Sequence, residues 1–304
     1  MIRIPPPLQP GDLIGITCPA GYMEYQQAAD CIATLQRWGY EVLVGQTLHS
    51  KSKNYFSGSD EERRDELQAL LDAPEVKAIL CGRGGYGMSR IIDGLDFTHF
   101  RKQPKWIAGF SDITVLHTHL QQQCKVASIH GPMAAAFAKG GCRTKYVQSL
   151  RNVFEGGNIN YVCKPHRLNR TGWGEGILVG GNLALLAHVC GSKSEPDTRN
   201  KILFIEDVGE YLYNIDRMLL QLKRAGKLQY LSALIVGGFT DLKDTTRPFG
   251  TTAYQIIQHH ISEYNYPVCF DFPVSHERKN LALICGCQYH LSVTATQVKL
   301  QQKI

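Results

Sequence analysis

Short apolar runs alternate with amphipathic stretches through the first 130 residues, and this alternation restricts the possible folds more than any other feature. The apolar runs are residues 13–17, 40–44, 76–81, 106–110 and 126–133. After the first run, residues 25–38 place Ala28, Ile32 and Leu35 on one face of a predicted helix. Strands that alternate with helices form parallel sheets with helices on both faces. The pattern therefore predicts a doubly wound α/β domain.

The chain of 304 residues is long enough to bury two cores of ordinary size. From about residue 137 the alternation gives way to glycines and polar residues, and new strand and helix patterns begin at residue 176. We expect a flavodoxin-like parallel sheet domain over residues 1–150 and a connection over residues 151–175. A smaller C-terminal α/β domain with extra β-strands is expected over residues 176–304.

Composition and charge argue against several classes of protein. The net charge of +6 is modest and its basic residues are dispersed, which does not favour nucleic acid. No run approaches the roughly 18 apolar residues of a membrane span, and the N-terminus lacks the apolar segment of a secretory signal. The ten cysteines are scattered, as is typical of reduced thiols. We expect a cytoplasmic protein whose partners are neither nucleic acid nor membrane.

Neither a metal nor a nucleotide cofactor is favoured by the sequence. His117 and His119 are two residues apart on a predicted helix and point in different directions, and no H-E-x-x-H motif is present. Residues 82–87, Gly-Arg-Gly-Gly-Tyr-Gly, match the dinucleotide pattern G-x-G-x-x-G. However, they follow the third predicted strand, and no acidic residue ends a strand about 20 residues later. We interpret this segment as a site-forming loop with no cofactor.

Ser111 lies where an apolar run, residues 106–110, meets a helical stripe at Ile113, Leu116 and Leu120. A serine at a strand-to-helix turn can present its hydroxyl as a nucleophile, and the amide of Asp112 could then stabilise an oxyanion. The alternative is that Ser111 or Asp112 caps the helix. The local pattern leaves both interpretations open.

A serine nucleophile needs a base and a group that orients the base. His276 lies in a loop after a predicted strand, and Glu206 closes another predicted strand of the same domain. Alternatively, His276 is an ordinary surface histidine and Glu206 pairs with Arg217 or a lysine. In a doubly wound sheet, loops at the carboxyl ends of strands face one crevice. That rule predicts that the loop at residues 82–87, Ser111 and His130 face the same crevice.

Six blocks of residues lie in a characteristic order along nearly the whole chain: residues 82–87, 109–114, 130–133, 180–183, 205–207 and 213–219. In these blocks and their order the sequence resembles the LD-carboxypeptidases, also called murein tetrapeptide carboxypeptidases. It is also similar to the related microcin-immunity serine peptidases, which share the same blocks. The resemblance implies a small peptide as the partner, and we expect a homodimer. This resemblance implies an N-terminal α/β domain that supplies a serine and a C-terminal domain that supplies glutamate and histidine.

The resemblance implies a catalytic triad of Ser111, His276 and Glu206. It further implies an oxyanion hole formed by the main-chain amides of Gly84 or Gly85 and of Asp112. The implied activity is hydrolysis of the L,D peptide bond before the terminal D-alanine of murein tetrapeptide, in cell-wall recycling. Substrate contacts are expected from three residues. These are Arg83, which could anchor a carboxylate, Tyr86 and Asn182.

Three positions depart from the family pattern. Ala20 follows Pro19 where a serine is common, Ser275 precedes His276 where a glycine is common, and Ile284 lies in a segment where a proline is usual. Glycine permits backbone conformations that serine resists, so the histidine geometry is the feature most affected. Two alternative functions stay open. One is a microcin-immunity-type peptidase or amidase acting on peptide- or aminoacyl-nucleotides. The other, which the departures at Ser275 and Ile284 favour, is a ligand-binding homologue without catalysis.

Overall fold

The protein consists of two α/β units, in a computed structural model that describes residues 2–303. Unit 1 extends to Gly157 and also takes in Leu281–Ile284. Unit 2 comprises Asn158–Asn280 and the chain from Cys285 onward. Each unit has a β-sheet of its own.

The bounds of the regular elements, in chain order, are as follows. The α-helices are α1 (Tyr25–Arg37), α2 (Asp60–Asp72), α3 (Met88–Ile91), α4 (Thr98–Lys102), α5 (Thr114–His119), α6 (Lys145–Phe154), α7 (Leu183–His188), α8 (Leu212–Arg224) and α9 (Ala253–His260). The β-strands are β1 (Leu13–Thr17), β2 (Glu41–Val44), β3 (Val76–Cys81), β4 (Trp106–Gly109), β5 (Ser128–His130), β6 (Asn160–Cys163), β7 (Gly172–Asn182), β8 (Ile202–Val208), β9 (Ala233–Thr240), β10 (Val268–Cys269), β11 (Leu283–Cys285), β12 (Gln288–Val293) and β13 (Val298–Gln302).

The sheet of unit 1 has the strand order β11-β5-β4-β3-β1-β2, and β1 to β5 pair in parallel. The order 2-1-3-4-5 is that of flavodoxin-like sheets, in which ligands bind beyond the carboxyl ends of the strands. β3 and β4 are buried almost throughout, as strands covered on both faces must be. The predicted doubly wound fold is confirmed.

The helices of unit 1 form where the sequence supplies both an apolar face and a start signal. Helix α2 begins after Ser59, whose side chain accepts a hydrogen bond from the Glu62 amide while the Glu62 side chain accepts one from the Ser59 amide. Its buried face carries Leu67, Leu70 and Leu71. Both signals are local in the sequence, and the helix forms where they occur together.

The sheet of unit 2 has the order β10-β9-β8-β7-β12-β13-β6. β7 to β10 pair in parallel, and β12, β13 and β6 extend the sheet with antiparallel pairing. Leucine and isoleucine side chains from β8, β9, α8 and α9 form the core on one face. This mixed sheet confirms the predicted C-terminal α/β domain with extra strands.

The segment interpreted from sequence as a connection, residues 151–175, contains β6 and the first residues of β7. β6 is the edge strand and half exposed, so its apolar signal is weak. The glycines of β7 suggest a loop but lie where other backbone approaches closely. A Cβ at Gly174 would lie 2.2 Å from the Ser232 carbonyl oxygen, and one at Gly176 would lie 2.8 Å from that of Asn200.

A second difference concerns the segment Leu281–Ile284, which groups with unit 1 although residues 176–304 were predicted to form one domain. β11 pairs beside β5 at the edge of the first sheet. The Ala282 amide also donates to the Ser149 hydroxyl of α6, at 2.9 Å. Pairing of this kind between distant segments leaves no mark on local periodicity, which explains why it was not predicted.

Candidate active site

The serine turn, which we define as residues 110–113, joins β4 to α5. Phe110 is extended, whereas Ser111 has a φ of 65°, in the left-handed region that costs a residue with a side chain about 1–2 kcal/mol. Ser111 is the first residue of a 3-10 turn, Ser111–Ile113, whose capping position is Phe110. The capping position of α5 is Ile113, so Ser111 caps neither element. A strained strand-to-helix turn is the setting in which a hydrolase serine is exposed for attack.

The glycine loop, which we define as residues 82–87, lies against the serine turn. A Cβ at Gly84 would lie 2.8 Å from Cβ and 3.0 Å from Oγ of Ser111. Gly85 and Gly87 have φ angles of 101° and 145°, which only glycine adopts readily. The loop backbone therefore approaches the Ser111 hydroxyl closely because Gly84 lacks a side chain.

Replacement of Gly84 by alanine is expected to lower kcat by roughly 10- to 100-fold, because the methyl group must push the loop away from Ser111. Steady-state kinetics measure this effect. The control is Gly94→Ala in the same unit, where the methyl group would meet only the flexible Arg64 side chain, at 3.1 Å. Equal activities of the two variants would contradict a role for the close approach.

Arg83 and Tyr86, both expected to contact substrate, are exposed on the glycine loop. Arg83 donates from Nη1 to the Tyr22 carbonyl oxygen at 3.2 Å. The Tyr86 ring lies beside that of Phe56, with 5.8 Å between centroids. Both side chains are thus accessible to a ligand next to Gly84, and direct contact with substrate stays a prediction.

Asp112 differs from its neighbours because its carboxylate is fully buried. Its Oδ2 accepts a hydrogen bond from the Met88 amide at 2.7 Å, at the start of α3. Burial raises the pKa of Asp112 to about 6, against the lowering effects of the Met88 amide and the Arg63 charge. The capping position of α5 is Ile113, so Asp112 does not cap the helix that follows it, and its carboxylate instead accepts a hydrogen bond from the first residue of α3.

Glu206 and His276 are brought together within unit 2, although they are 70 positions apart. Their contact joins His276 Nδ1 to Glu206 Oε2 at 2.6 Å, and the Glu206 side chain is fully buried. Burial alone lowers the pKa of His276, but the hydrogen bond with Glu206 and the charges of Glu206 and Asp207 outweigh it and raise that pKa. A buried carboxylate that fixes one ring nitrogen is the arrangement a general base requires.

Asp207, next to Glu206, has a buried carboxylate with local partners. Its Oδ1 accepts from Asn182 Nδ2 at 2.8 Å, and its Oδ2 accepts from the Ala184 amide at 3.0 Å. Burial, followed by the charge of Glu206, raises the pKa of Asp207 to about 7. Asn182 is itself buried and caps α7 through the Leu185 amide. These contacts give Asn182 a structural role, and its contact with substrate stays a prediction.

Ser275, which replaces the usual glycine before His276, fits its position without strain. Its φ lies outside the left-handed region. Its hydroxyl accepts from the Glu277 amide at 3.1 Å and donates to the Lys279 carbonyl oxygen at 3.2 Å. Across the fold, a Cβ at Gly238 would lie 2.5 Å from the Ser275 Cβ, so a glycine there provides the room.

Two side chains near the glycine loop were not found by sequence reasoning. Arg63, fully buried among the leucines of α2, donates from Nη1 to the carbonyl oxygens of Pro19 at 2.7 Å and Gly87 at 3.2 Å. The position of Arg63 on the leucine face of α2 could have indicated this role, since a buried cation needs hydrogen-bond partners. Tyr55 is exposed, and its hydroxyl would lie 3.1 Å from a Cβ at Gly85.

His117 has a structural role in unit 1. Its Nε2 lies 2.9 Å from the Gly109 carbonyl oxygen and its Nδ1 lies 2.8 Å from the Ser128 hydroxyl. Burial lowers the pKa of His117 to about 4.

Over residues 2–303, no three histidine, cysteine or carboxylate side chains are grouped so that they could bind a metal ion. Within the same range, no helix combines the length and apolar character needed to cross a bilayer.

Comparison with known proteins matches both halves of the chain to one family. Residues 14–131 match the LD-carboxypeptidase N-terminal domain, and residues 175–291 match the LD-carboxypeptidase C-terminal domain. The chain belongs to the LD-carboxypeptidase family. As a member of this family it is a serine carboxypeptidase, a hydrolase.

Individual relatives agree with this assignment. The "Probable murein peptide carboxypeptidase" of Bacillus subtilis (strain 168) is 34% identical over 287 residues, which cover 93% of this chain and 90% of that protein. The crystal structure of muramoyltetrapeptide carboxypeptidase from Oxalobacter formigenes superimposes with a TM-score of 0.87 at 30% identity, covering 96% of this chain and 99% of that one.

The microcin C7 self-immunity protein MccF shares the fold. Its structure in complex with glutamyl sulfamoyl guanosine has a TM-score of 0.84 at 22% identity, with 98% of both chains covered. The resemblance noted in the sequence to LD-carboxypeptidases is confirmed, and the likeness to the microcin-immunity protein is one of fold.

Proposed function

We propose that this carboxypeptidase removes the terminal D-alanine from murein tetrapeptide by cleaving an L,D peptide bond, as part of cell-wall recycling. Ser111 is the nucleophile, His276 the general base and Glu206 the residue that orients the base. The enzyme uses no cofactor and no metal in this scheme. The names of the Bacillus and Oxalobacter relatives support the murein substrate.

In the first half-reaction the Ser111 Oγ attacks the carbonyl carbon of the L-centre residue, and its proton passes to Nε2 of His276. Since the Glu206 carboxylate accepts a hydrogen bond from Nδ1–H, Nε2 is left as the proton acceptor. The negative charge on the substrate oxygen is stabilised by the main-chain amides of Gly84 or Gly85 and of Asp112. The tetrahedral intermediate then collapses, the C–N bond breaks, and D-alanine leaves with the proton from His276.

In the second half-reaction water replaces D-alanine. His276 takes a proton from the water, the resulting hydroxide attacks the acyl carbon, and the ester bond to Ser111 breaks. The proton returns from His276 to the Ser111 oxygen, which restores the enzyme and releases the shortened peptide. Arg83, exposed next to Gly84, pairs with a carboxylate of the substrate, with Tyr86 and Asn182 as further substrate-binding residues.

The single observation that carries this proposal is the short contact between the fully buried Glu206 carboxylate and His276. A buried carboxylate beside a histidine is costly for folding unless the pair is hydrogen-bonded, and it holds the ring in one tautomer. In a chain with both LD-carboxypeptidase domains, this pair supports His276 as the general base.

The direct test is incubation with L-Ala-D-Glu-diaminopimelate-D-Ala, with free D-alanine measured by a coupled D-amino-acid oxidase assay. We expect stoichiometric release of D-alanine and a product one residue shorter by mass spectrometry. The matched control peptide ends in L-alanine and should remain intact. No release of D-alanine, or equal cleavage of both peptides, would refute the proposed specificity. A lysine-containing tetrapeptide tested in parallel determines the third residue of the substrate.

The same assay separates the alternative functions. A glutamyl sulfamoyl nucleotide is included as a substrate, and cleavage of it without cleavage of the tetrapeptide would favour a microcin-immunity-type activity. A fluorophosphonate probe that fails to label Ser111 would favour a ligand-binding homologue without catalysis. Cytoplasmic location and a homodimeric state are further expectations, tested by cell fractionation and light scattering.

A further inference from the structure

The Asp112 carboxylate connects the two segments that would build the oxyanion hole, and the steps above assign it no role. The residue follows Ser111 in the serine turn, and its side chain is directed into the interior of unit 1 rather than toward solvent. Its hydrogen bond to the Met88 amide, at 2.7 Å, ends on the residue that directly follows the glycine loop. One side chain thus ties the serine turn to the end of that loop.

The other contacts of the glycine loop come from different segments. The Gly84 carbonyl oxygen accepts from the Gly21 amide at 2.9 Å, and the Gly87 carbonyl oxygen accepts from Arg63 at 3.2 Å. These bonds fix the loop to the segment after β1 and to α2. Both bonds hold the loop to segments other than the serine turn, whereas the hydrogen bond that Asp112 accepts from the Met88 amide joins the end of the loop to that turn.

Burial raises the pKa of Asp112, whereas the Met88 amide and the Arg63 charge lower it, and the resulting pKa of about 6 leaves the carboxylate ionised at neutral pH. Arg63 from α2 lies close enough to lower its pKa, and the Cys81 thiol of β3 faces it as a group that burial keeps neutral. The Gly87 and Met88 amides face it from the loop and from α3. A hydrogen bond from a main-chain amide to a buried carboxylate is stronger than the same bond to a neutral acceptor.

We propose that Asp112 is a positioning residue whose carboxylate holds the glycine loop against the serine turn, so that the amides of the loop and of Asp112 point at one oxyanion. The inference rests on the proposed function of Ser111. Without this hydrogen bond, the end of the glycine loop can shift relative to Ser111, and the oxyanion donors lose their alignment. Such a loss lowers transition-state stabilisation more than substrate binding.

The test compares Asp112→Ala and Asp112→Asn. Asp112→Ala should lower kcat by about 10- to 100-fold with KM changed less than about threefold, since donors displaced by a fraction of an ångström lose most of their effect. Asp112→Asn keeps a neutral acceptor oxygen in the same position for the Met88 amide, so it should recover part of the lost kcat. Rescue by the isosteric side chain is a result that a general loss of stability does not produce.

The matched control is Lys105→Met. Lys105 is also a buried charged residue of unit 1, but it precedes β4, whereas Asp112 follows that strand. Its Nζ donates to the carbonyl oxygens of Leu70 and Ala73. We expect this variant to lower Tm to an extent similar to Asp112→Ala while leaving kcat and KM unchanged. If Asp112→Ala also keeps its kcat while its Tm falls, Asp112 is only a structural residue and the inference is overturned.

A second readout separates failure of this inference from failure of the proposed function. The rate of Ser111 labelling by a fluorophosphonate depends on the serine and the oxyanion donors but not on the peptide. If the wild-type protein is labelled but does not cleave the tetrapeptide, the substrate is wrong, and slower labelling of Asp112→Ala still supports the positioning role. Labelling of this variant at the wild-type rate would overturn it.

Discussion

Ser111→Ala is expected to lower kcat for D-alanine release by about ten-thousand- to a million-fold while the fold is retained. The alanine variant lacks the oxygen that forms the acyl-enzyme, and removal of a triad serine in other hydrolases has effects of this size. The residual rate would come from oxyanion donors and binding alone. The measurement is single-turnover release of D-alanine with enzyme in excess, together with a thermal melt.

The control for this variant is Ser149→Ala, a serine of α6 in the same unit whose hydroxyl interacts with main chain. It should retain wild-type kcat. Loss of activity in both variants with equal loss of Tm would indicate unfolding rather than chemistry. Activity retained by Ser111→Ala would end the serine mechanism.

The partnership of Ser111 with His276 can be tested by non-additivity. Residues that act as one catalytic unit lose their effect once any of them is removed. The double variant Ser111→Ala/His276→Ala should therefore be no slower than Ser111→Ala alone. If the two effects multiply, the two residues act independently and the triad assignment is wrong.

Glu206→Gln is expected to give the second largest effect, a fall in kcat of about ten-thousand-fold, since the amide no longer holds His276 in the required tautomer. A shift in pH dependence should accompany it. The base must be neutral, and Glu206 raises the pKa of His276, so the acid limb of kcat/KM in the wild type lies above the ordinary histidine pKa of 6.5. In Glu206→Gln this limb should move to lower pH.

A second carboxylate–histidine pair in unit 2 provides the control. His260 Nε2 lies 2.9 Å from Asp216 Oδ1, and neither residue belongs to the proposed machinery. Asp216→Asn should leave the pH profile of kcat/KM unchanged. If Glu206→Gln also leaves the acid limb unchanged, another group titrates in that range and His276 is not the base. The full profile from pH 5 to 9 is the measurement.

Much of the fold was predictable because its signals are local. The apolar run of β3 and the buried face of α2 are periodicities within a few residues, and the capping box of Ser59 and Glu62 spans one helical turn. These features led to the parallel sheet of unit 1 and to the turn that contains Ser111. The family motifs added the residues of the proposed triad.

Features that depend on contacts between distant segments were not predictable in the same way. The return of residues 281–284 to the first sheet, and the strands within residues 151–175, rest on pairing across the chain. The glycines at the start of β7 suggested a loop, yet they are needed because neighbouring backbone comes within contact distance.

The sequence by itself determined the β-α alternation, the position of Ser111 between a strand and a helix, and the two family domains. Only the tertiary structure decided the left-handed backbone of Ser111 and the burial of Glu206 against His276. It also decided the hydrogen bond that the Asp112 carboxylate accepts from the Met88 amide. The physical reason is that periodicity reports which face of an element is buried. Hydrogen bonds between segments depend on how those elements pack, and their atoms meet only in the folded chain.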